Sequence, residues 1–141
     1  MKGATQVFKH LIEYISYTRE RIAEAYELLG STHLDEHFDL GLTMEYWHKA
    51  LQIRENNEHK PIVKRLPPPN AAYLNSKEFR TFAELNAVID DLDAIKMQSL
   101  LISERILGSQ HKEMIYRLMY RGAAYADGLQ YQRCVCFDLF Y

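Results

Sequence analysis

Cysteine, glycine and proline are all scarce in this chain, and each shortage removes a class of structure. There are two cysteines in 141 residues, Cys134 and Cys136, one residue apart. A disulfide framework uses more of them, spread along the chain, and a Cys-x-Cys metal site would need further ligands that do not follow. They read as two small apolar side chains on a terminal helix, in a chain suited to the reducing cytosol or the nucleus. No run approaches the roughly 18 apolar residues that a membrane helix requires. The stretch Met1-Lys2-Gly3-Ala4-Thr5 lacks the apolar core of a secretory signal. An excess of one charge is also missing: 17 basic and 19 acidic residues are interspersed, for a net charge of -2. That pattern speaks against a nucleic-acid or anionic-membrane partner, which leaves a basic patch in the sequence. What is abundant is apolar material, 48% of residues, enough for one domain of this length to fold without covalent staples.

Three of the four prolines fall together at Pro67-Pro68-Pro69 and divide the chain. Residues 56–80 show no sustained periodicity and read as an extended, Pro-containing linker, partly polyproline II. On either side the apolar spacing is helical. A first stripe comprises Val7, Phe8, Leu11, Ile12 and Ile15; a second comprises Ile22, Ala23, Tyr26 and Leu29, with Gly30 as its C-terminal stop. A further helix, from about Leu40 to Glu55, places Thr43, Tyr46, Trp47, Ala50 and Arg54 on one face. Thr81-Phe82-Ala83-Glu84 is a capping box that opens a short helix to about Ile89. Asp91 or Asp93 starts the next, which Gly108 ends; another spans Lys112 to Asp127 and stops at Gly128, and a last one begins near Tyr131. The expected fold class is all-α.

At an offset of 49 residues (Ala50 to Ser99) the segment Ala50-Leu51-Gln52-Ile53-Arg54-Glu55 returns as Ser99-Leu100-Leu101-Ile102-Ser103-Glu104. Tyr26-Glu27-Leu28-Leu29-Gly30 and Leu118-Met119-Tyr120-Arg121-Gly122 form a second echo. Both fit a degenerate tetratricopeptide (TPR) template, in which two antiparallel helices close on small residues and an aromatic plugs the adjacent gap. The expected architecture is therefore an α-solenoid fragment of TPR-like helix pairs. Residues 1–55 form a first unit with a preceding helix, 56–80 the linker, and 81–141 a second unit whose last helix looks truncated. A truncated apolar helix would favour self-association.

Motifs for chemistry are weak. His33-Leu34-Asp35-Glu36-His37 matches His-x-x-Glu-His, a zinc pattern when it lies on a helix with a third ligand. Here it falls in the segment between two expected helices, with no third ligand to name, and reads as a solvated loop. Asp90-Asp91-Leu92-Asp93 suits a helix start, where carboxylates complement the helix dipole. No phosphate loop, Gly-x-Ser-x-Gly elbow or Cys/His nucleophile pair is present, so no catalytic residue, metal or cofactor is expected. A binding surface is better motivated. Counting along the TPR template from Gly30 and Gly122 puts Glu24, Glu27, Tyr116 and Asp127 on a concave face, an acidic and aromatic groove suited to a basic peptide. A free-standing TPR adaptor would use such a groove in this way.

Two sets of words go beyond a generic TPR: Leu101-Ile102-Ser103-Glu104-Arg105-Ile106-Leu107-Gly108 with Tyr120-Arg121-Gly122-Ala123-Ala124-Tyr125-Ala126-Asp127, and Glu27-Leu28-Leu29-Gly30-Ser31-Thr32 with Tyr46-Trp47-His48-Lys49-Ala50-Leu51. From about Ile22 to Cys134 the chain resembles the central region of the Fem (feminization) proteins, ankyrin-repeat substrate receptors of cullin–RING ubiquitin ligases. The resemblance implies a non-catalytic segment that binds protein partners. Among those partners are ligase substrates, with a family preference for C-terminal arginine that matches an acidic groove. It also implies elongin and cullin, bound through regions absent here. The final residues depart from the family pattern: Asp138 and Tyr141 stand where a Trp and an Ala are usual.

Overall fold

The computed structural model describes residues 2–56 and 60–127. Five helices follow one another: α1 (Lys2–His37), α2 (Leu40–Arg54), α3 (Phe82–Val88), α4 (Leu92–Leu107) and α5 (Lys112–Asp127), with a 3-10 turn at Ala71–Tyr73. No strand occurs among the described residues. The expected helix near Tyr131, with its self-association, lies outside them, as do Gly128, Cys134 and Cys136.

Local signals set most boundaries. The Asp39 carboxylate accepts from the Leu42 N–H at the start of α2, and Asp91 does the same for Ala94 at the start of α4. Each satisfies a backbone donor that the helix itself leaves unpaired. At α3 the Thr81 hydroxyl accepts from the Glu84 N–H at 3.1 Å, and the Glu84 carboxylate returns to the Arg80 N–H at 2.6 Å. The capping box is thus present, with its reciprocal bond moved one residue upstream. Gly108 ends α4 at φ +86°, a conformation that costs glycine little.

The expectation fails at Gly30. It does not stop a helix; α1 runs straight through it for 36 residues. A side chain here would collide with the next helix, since an added Cβ would stand 2.5 Å from both Cδ1 and Nε1 of Trp47. Two hydrogen bonds hold the close approach: Trp47 Nε1 donates to the Glu27 carbonyl at 3.1 Å, and Thr43 Oγ1 to the Gly30 carbonyl at 2.9 Å. The glycine is spent on helix crossing, so the chain turns only at Phe38, with φ 54°. The His33–His37 run is accordingly the last part of α1 and not a loop, and Leu34 within it is 1% exposed. The inward stripe also differs from the expected one. Ala23, Glu27, Ser31 and Leu34 are buried, whereas Ile22 and Leu29 lie exposed.

α4 is shared between two apolar clusters. Ile95 and Ile102 pack with Leu34, Trp47, Leu51, Phe79 and Leu85. Met97 and Leu100 pack with Ala72, Tyr73, Met114, Leu118 and Tyr125. α1 packs against both α2 and α4, so residues on the two sides of the proline cluster share one interior. The segment expected as a linker helps to build that interior. Ala72, Tyr73 and Phe79 are core residues, and the Gln98 side chain accepts from the Phe79 N–H and donates to the Lys77 carbonyl. Extended backbone is thereby satisfied inside the protein without a ladder partner.

Gly30→Ala is expected to lose about 1–3 kcal/mol through overpacking. Urea denaturation followed by the fluorescence of Trp47, the single tryptophan, measures it directly; a midpoint equal to that of the parent would refute the crossing argument.

Candidate functional site

Five charged side chains meet under the irregular segment. Glu27 of α1 is fully buried. Its Oε1 takes Arg54 Nη2 at 2.8 Å, and its Oε2 takes Lys64 Nζ at 3.1 Å and Arg105 Nη2 at 2.9 Å. Glu78 closes the group, at 3.0 Å from Lys64 and 2.7 Å from Arg105. Arg105 grips it through both Nε and Nη2, a fork geometry that lysine does not offer. Lys64 Nζ also donates to the Phe79 carbonyl at 2.7 Å. Burial pushes the Glu27 carboxyl upward, but Lys64, Arg105 and Arg54 together outweigh it and hold the pKa below the ordinary glutamate range. Burial pulls the Lys64 ammonium below its usual range, and Glu78 and Glu27 oppose this only in part. For Arg105 the carboxylates win over burial, and its pKa is raised.

A further carboxylate, the largely buried Asp35, sits between α1, α4 and α5. Arg117 and Arg121 approach it at 3.5 and 3.6 Å, and Ser99 Oγ donates to it at 3.1 Å. Burial pushes its pKa up, and these longer contacts do not bring it back. Arg117 is shared further, with Ser103 Oγ and Thr32 Oγ1, each at 2.8 Å. The Ser99–Ser103 half of the repeat echo therefore serves as polar contact between helices, while the corresponding Ala50 and Arg54 serve α2.

Above the first cluster a half-open cleft of about 580 Å³ lies between residues 65–70 and α4, with Glu78 and Arg105 among its walls. Its size falls within the range of ordinary ligand pockets, about 300–1,000 Å³. Tyr73 donates its hydroxyl to the Glu104 carboxylate there.

The four groove residues do not come together as the template suggests. Glu27 faces the interior and is consumed by three cations, so it cannot meet a peptide; the template counted an interior position as a concave one. Glu24 is partly buried and pairs with Arg21 at 3.3 Å. Tyr116 is exposed and lines a separate hollow with Asp35, Glu36 and Arg117. Asp127 is exposed at the end of α5. His33 stacks on Tyr46 and lies against His37, at centroid distances of 5.4 and 5.6 Å. No group of three His, Cys, Asp or Glu side chains among the described residues could hold a metal ion. Sequence reasoning placed Arg54 on the correct face but missed its partners. Lys64 and Glu78 lie in an aperiodic segment, where spacing carries no burial signal.

Glu27→Gln should cost about 3–5 kcal/mol, because it leaves buried cations without their counter-charge. Glu24→Gln should stay within about 0.5 kcal/mol, as for most surface changes. The pH dependence has a definite sign. A carboxyl held below its ordinary range stabilises the fold fully above that range, and the contribution disappears as pH falls through the folded-state pKa. The parent should therefore lose stability on acidification and Glu27→Gln should lose less, in urea titrations across pH 7 to pH 3. Asp35, shifted the other way, gives stability at low pH that is lost as pH rises through its folded-state pKa. Asp35→Asn should accordingly cost less at pH 7 than Glu27→Gln.

The chain matches no family model. It is 39% identical over 138 residues to zebrafish (Danio rerio) protein fem-1 homolog A, covering 94% of this chain and 22% of the relative. It is 43% identical over 120 residues to the human fem-1 homolog A, covering 84% and 18%. With the human fem-1 homolog C it shares 37% identity over 134 residues, covering 94% and 22%. The chain thus spans about a fifth of the length of the curated relatives it matches. By these identities, over most of its length this chain resembles a segment of the Fem-1 proteins.

Proposed function

We propose that this chain is a non-catalytic protein-interaction segment of a substrate-recognition subunit of a cullin–RING ubiquitin ligase, acting in the cytoplasm and nucleus. The observation that carries the reading is the identity of 37–43% to fem-1 homologs A and C over most of the chain. The geometry suits positioning more than reaction. Its buried charges are paired with one another, and its cleft offers cations and apolar walls. On this reading the segment holds its neighbours in the parent protein at a set angle and contributes surface to substrate capture. Elongin and cullin bind through other regions of that parent. Selection of C-terminal arginine also belongs elsewhere in the parent, since the acidic groove that would have served it here loses Glu27 to the interior.

Affinity purification with mass spectrometry, comparing the 141-residue chain with its full-length parent in cell extract, tests this. The parent should recover elongins and a cullin, and the chain alone should not. If neither recovers ligase components while the chain alone enriches a peptide-bearing partner, the ligase reading fails in favour of a free-standing adaptor.

A further inference from the structure

We infer that the cleft beside the Pro67–Pro69 segment binds an acidic, extended peptide of a partner protein. The inference rests on the reading of the chain as a protein-interaction segment, and it does not require the ligase assignment. Charge complementarity identifies the occupant. Arg65, Lys77 and Arg80 line the cleft and are exposed; among the described residues their side-chain cations form no ion pair with a carboxylate, and the Arg80 guanidinium donates only to the Lys64 carbonyl. The two acidic residues on the same walls offset them only in part. Glu78 is committed to Lys64 and Arg105, and Glu104 accepts the Tyr73 hydroxyl. Among the described residues, three exposed cations against the remaining charge of Glu104 thus leave this opening net positive, on a chain whose overall charge is -2. Focused positive potential of this kind speeds encounter with anionic partners and selects among them.

The remaining walls decide between a peptide and a simple anion. Leu66, Pro67, Pro68 and Leu101 give the cleft an apolar side, and consecutive prolines present that side with little conformational freedom left to lose on binding. A volume of about 580 Å³ exceeds what one phosphate fills and suits a short run of side chains. The floor is also rigid, because Arg105 and Glu78 are each held by the buried ion cluster. An apolar residue flanked by carboxylates satisfies both kinds of wall.

Fluorescence anisotropy on the 141-residue chain tests the assignment with a dye-labelled EDLDE pentapeptide and its uncharged QNLNQ counterpart. EDLDE should bind, QNLNQ should bind about tenfold more weakly or less, and added salt should weaken EDLDE. The double variant Arg65→Glu/Arg80→Glu, with circular dichroism equal to that of the parent, should lose EDLDE binding by about tenfold or more, whereas Lys9→Glu, exposed on α1, should retain it. Equal binding of the two peptides, or unchanged EDLDE binding in the double variant, overturns the inference. So does a decauridine oligonucleotide that binds more tightly than EDLDE and is lost in the same variant, since the cleft would then be a nucleic-acid site. The ligase reading, tested by copurification with the full-length parent, survives any of these results.

Discussion

One buried carboxylate organises this molecule. Glu27 sits on the inner face of α1 with no solvent exposure, where an ionised group is tolerated only if it is fully paired. It obtains its pairs from α2, from the irregular segment and from α4. Removing a charge from water costs several kcal/mol, and the attraction that offsets this depends on near-ideal geometry. All three elements must therefore converge on one oxygen pair within hydrogen-bonding distance. An apolar residue at the same position would tolerate sliding between neighbours. A carboxylate with three cations does not.

That requirement accounts for the treatment of the proline-containing segment. Residues 60–80 hold almost no regular secondary structure, and a segment of this kind normally runs over the surface, where water satisfies its backbone. Here it is drawn inward at both ends. Lys64 and Glu78 enter the ion cluster, Tyr73 and Phe79 enter the two apolar clusters, and Gln98 from α4 supplies backbone partners. The stretch acts as a wall that also carries the exposed cations of the cleft. Rigidity below and charge above come from the same stretch of chain.

How much of this was legible in the sequence depends on the kind of signal each residue sends. Caps are local chemistry, so Thr81, Asp91 and Gly108 marked their boundaries within a residue or so. The face of α2 was legible because Thr43, Trp47, Ala50 and Arg54 recur at helical spacing around a large aromatic. The inner face of α1 was not. It is built from Ala23, Glu27, Ser31 and Leu34, mostly small or polar, while the more apolar Ile22 and Leu29 point to solvent. A rule that sends hydrophobic residues inward therefore selects the wrong stripe. The same inversion turned Glu27 into an expected groove residue. Gly30 misled for a related reason: glycine ends helices and also allows helices to touch, and only the position of Trp47 decides between them. Family likeness was readable from short words such as Arg105-Ile106-Leu107-Gly108, which depend on neither periodicity nor burial. The cleft was not readable, because its cations are scattered through an aperiodic stretch and gain meaning only once α4 lies beside it.

The distribution of the ion cluster along the chain also bears on how the protein is made. α1 and α2 leave the ribosome before α4, and their crossing at Gly30 and Trp47 can form as soon as both have emerged. Glu27 at that moment has Arg54 and water, but Lys64, Glu78 and Arg105 are still to come. The helix pair is thus held in a partly hydrated state until residue 105 clears the exit tunnel, and only then can the carboxylate be sealed from solvent. The emergence of Arg105, more than the local propensity of α1, sets when the interior can close.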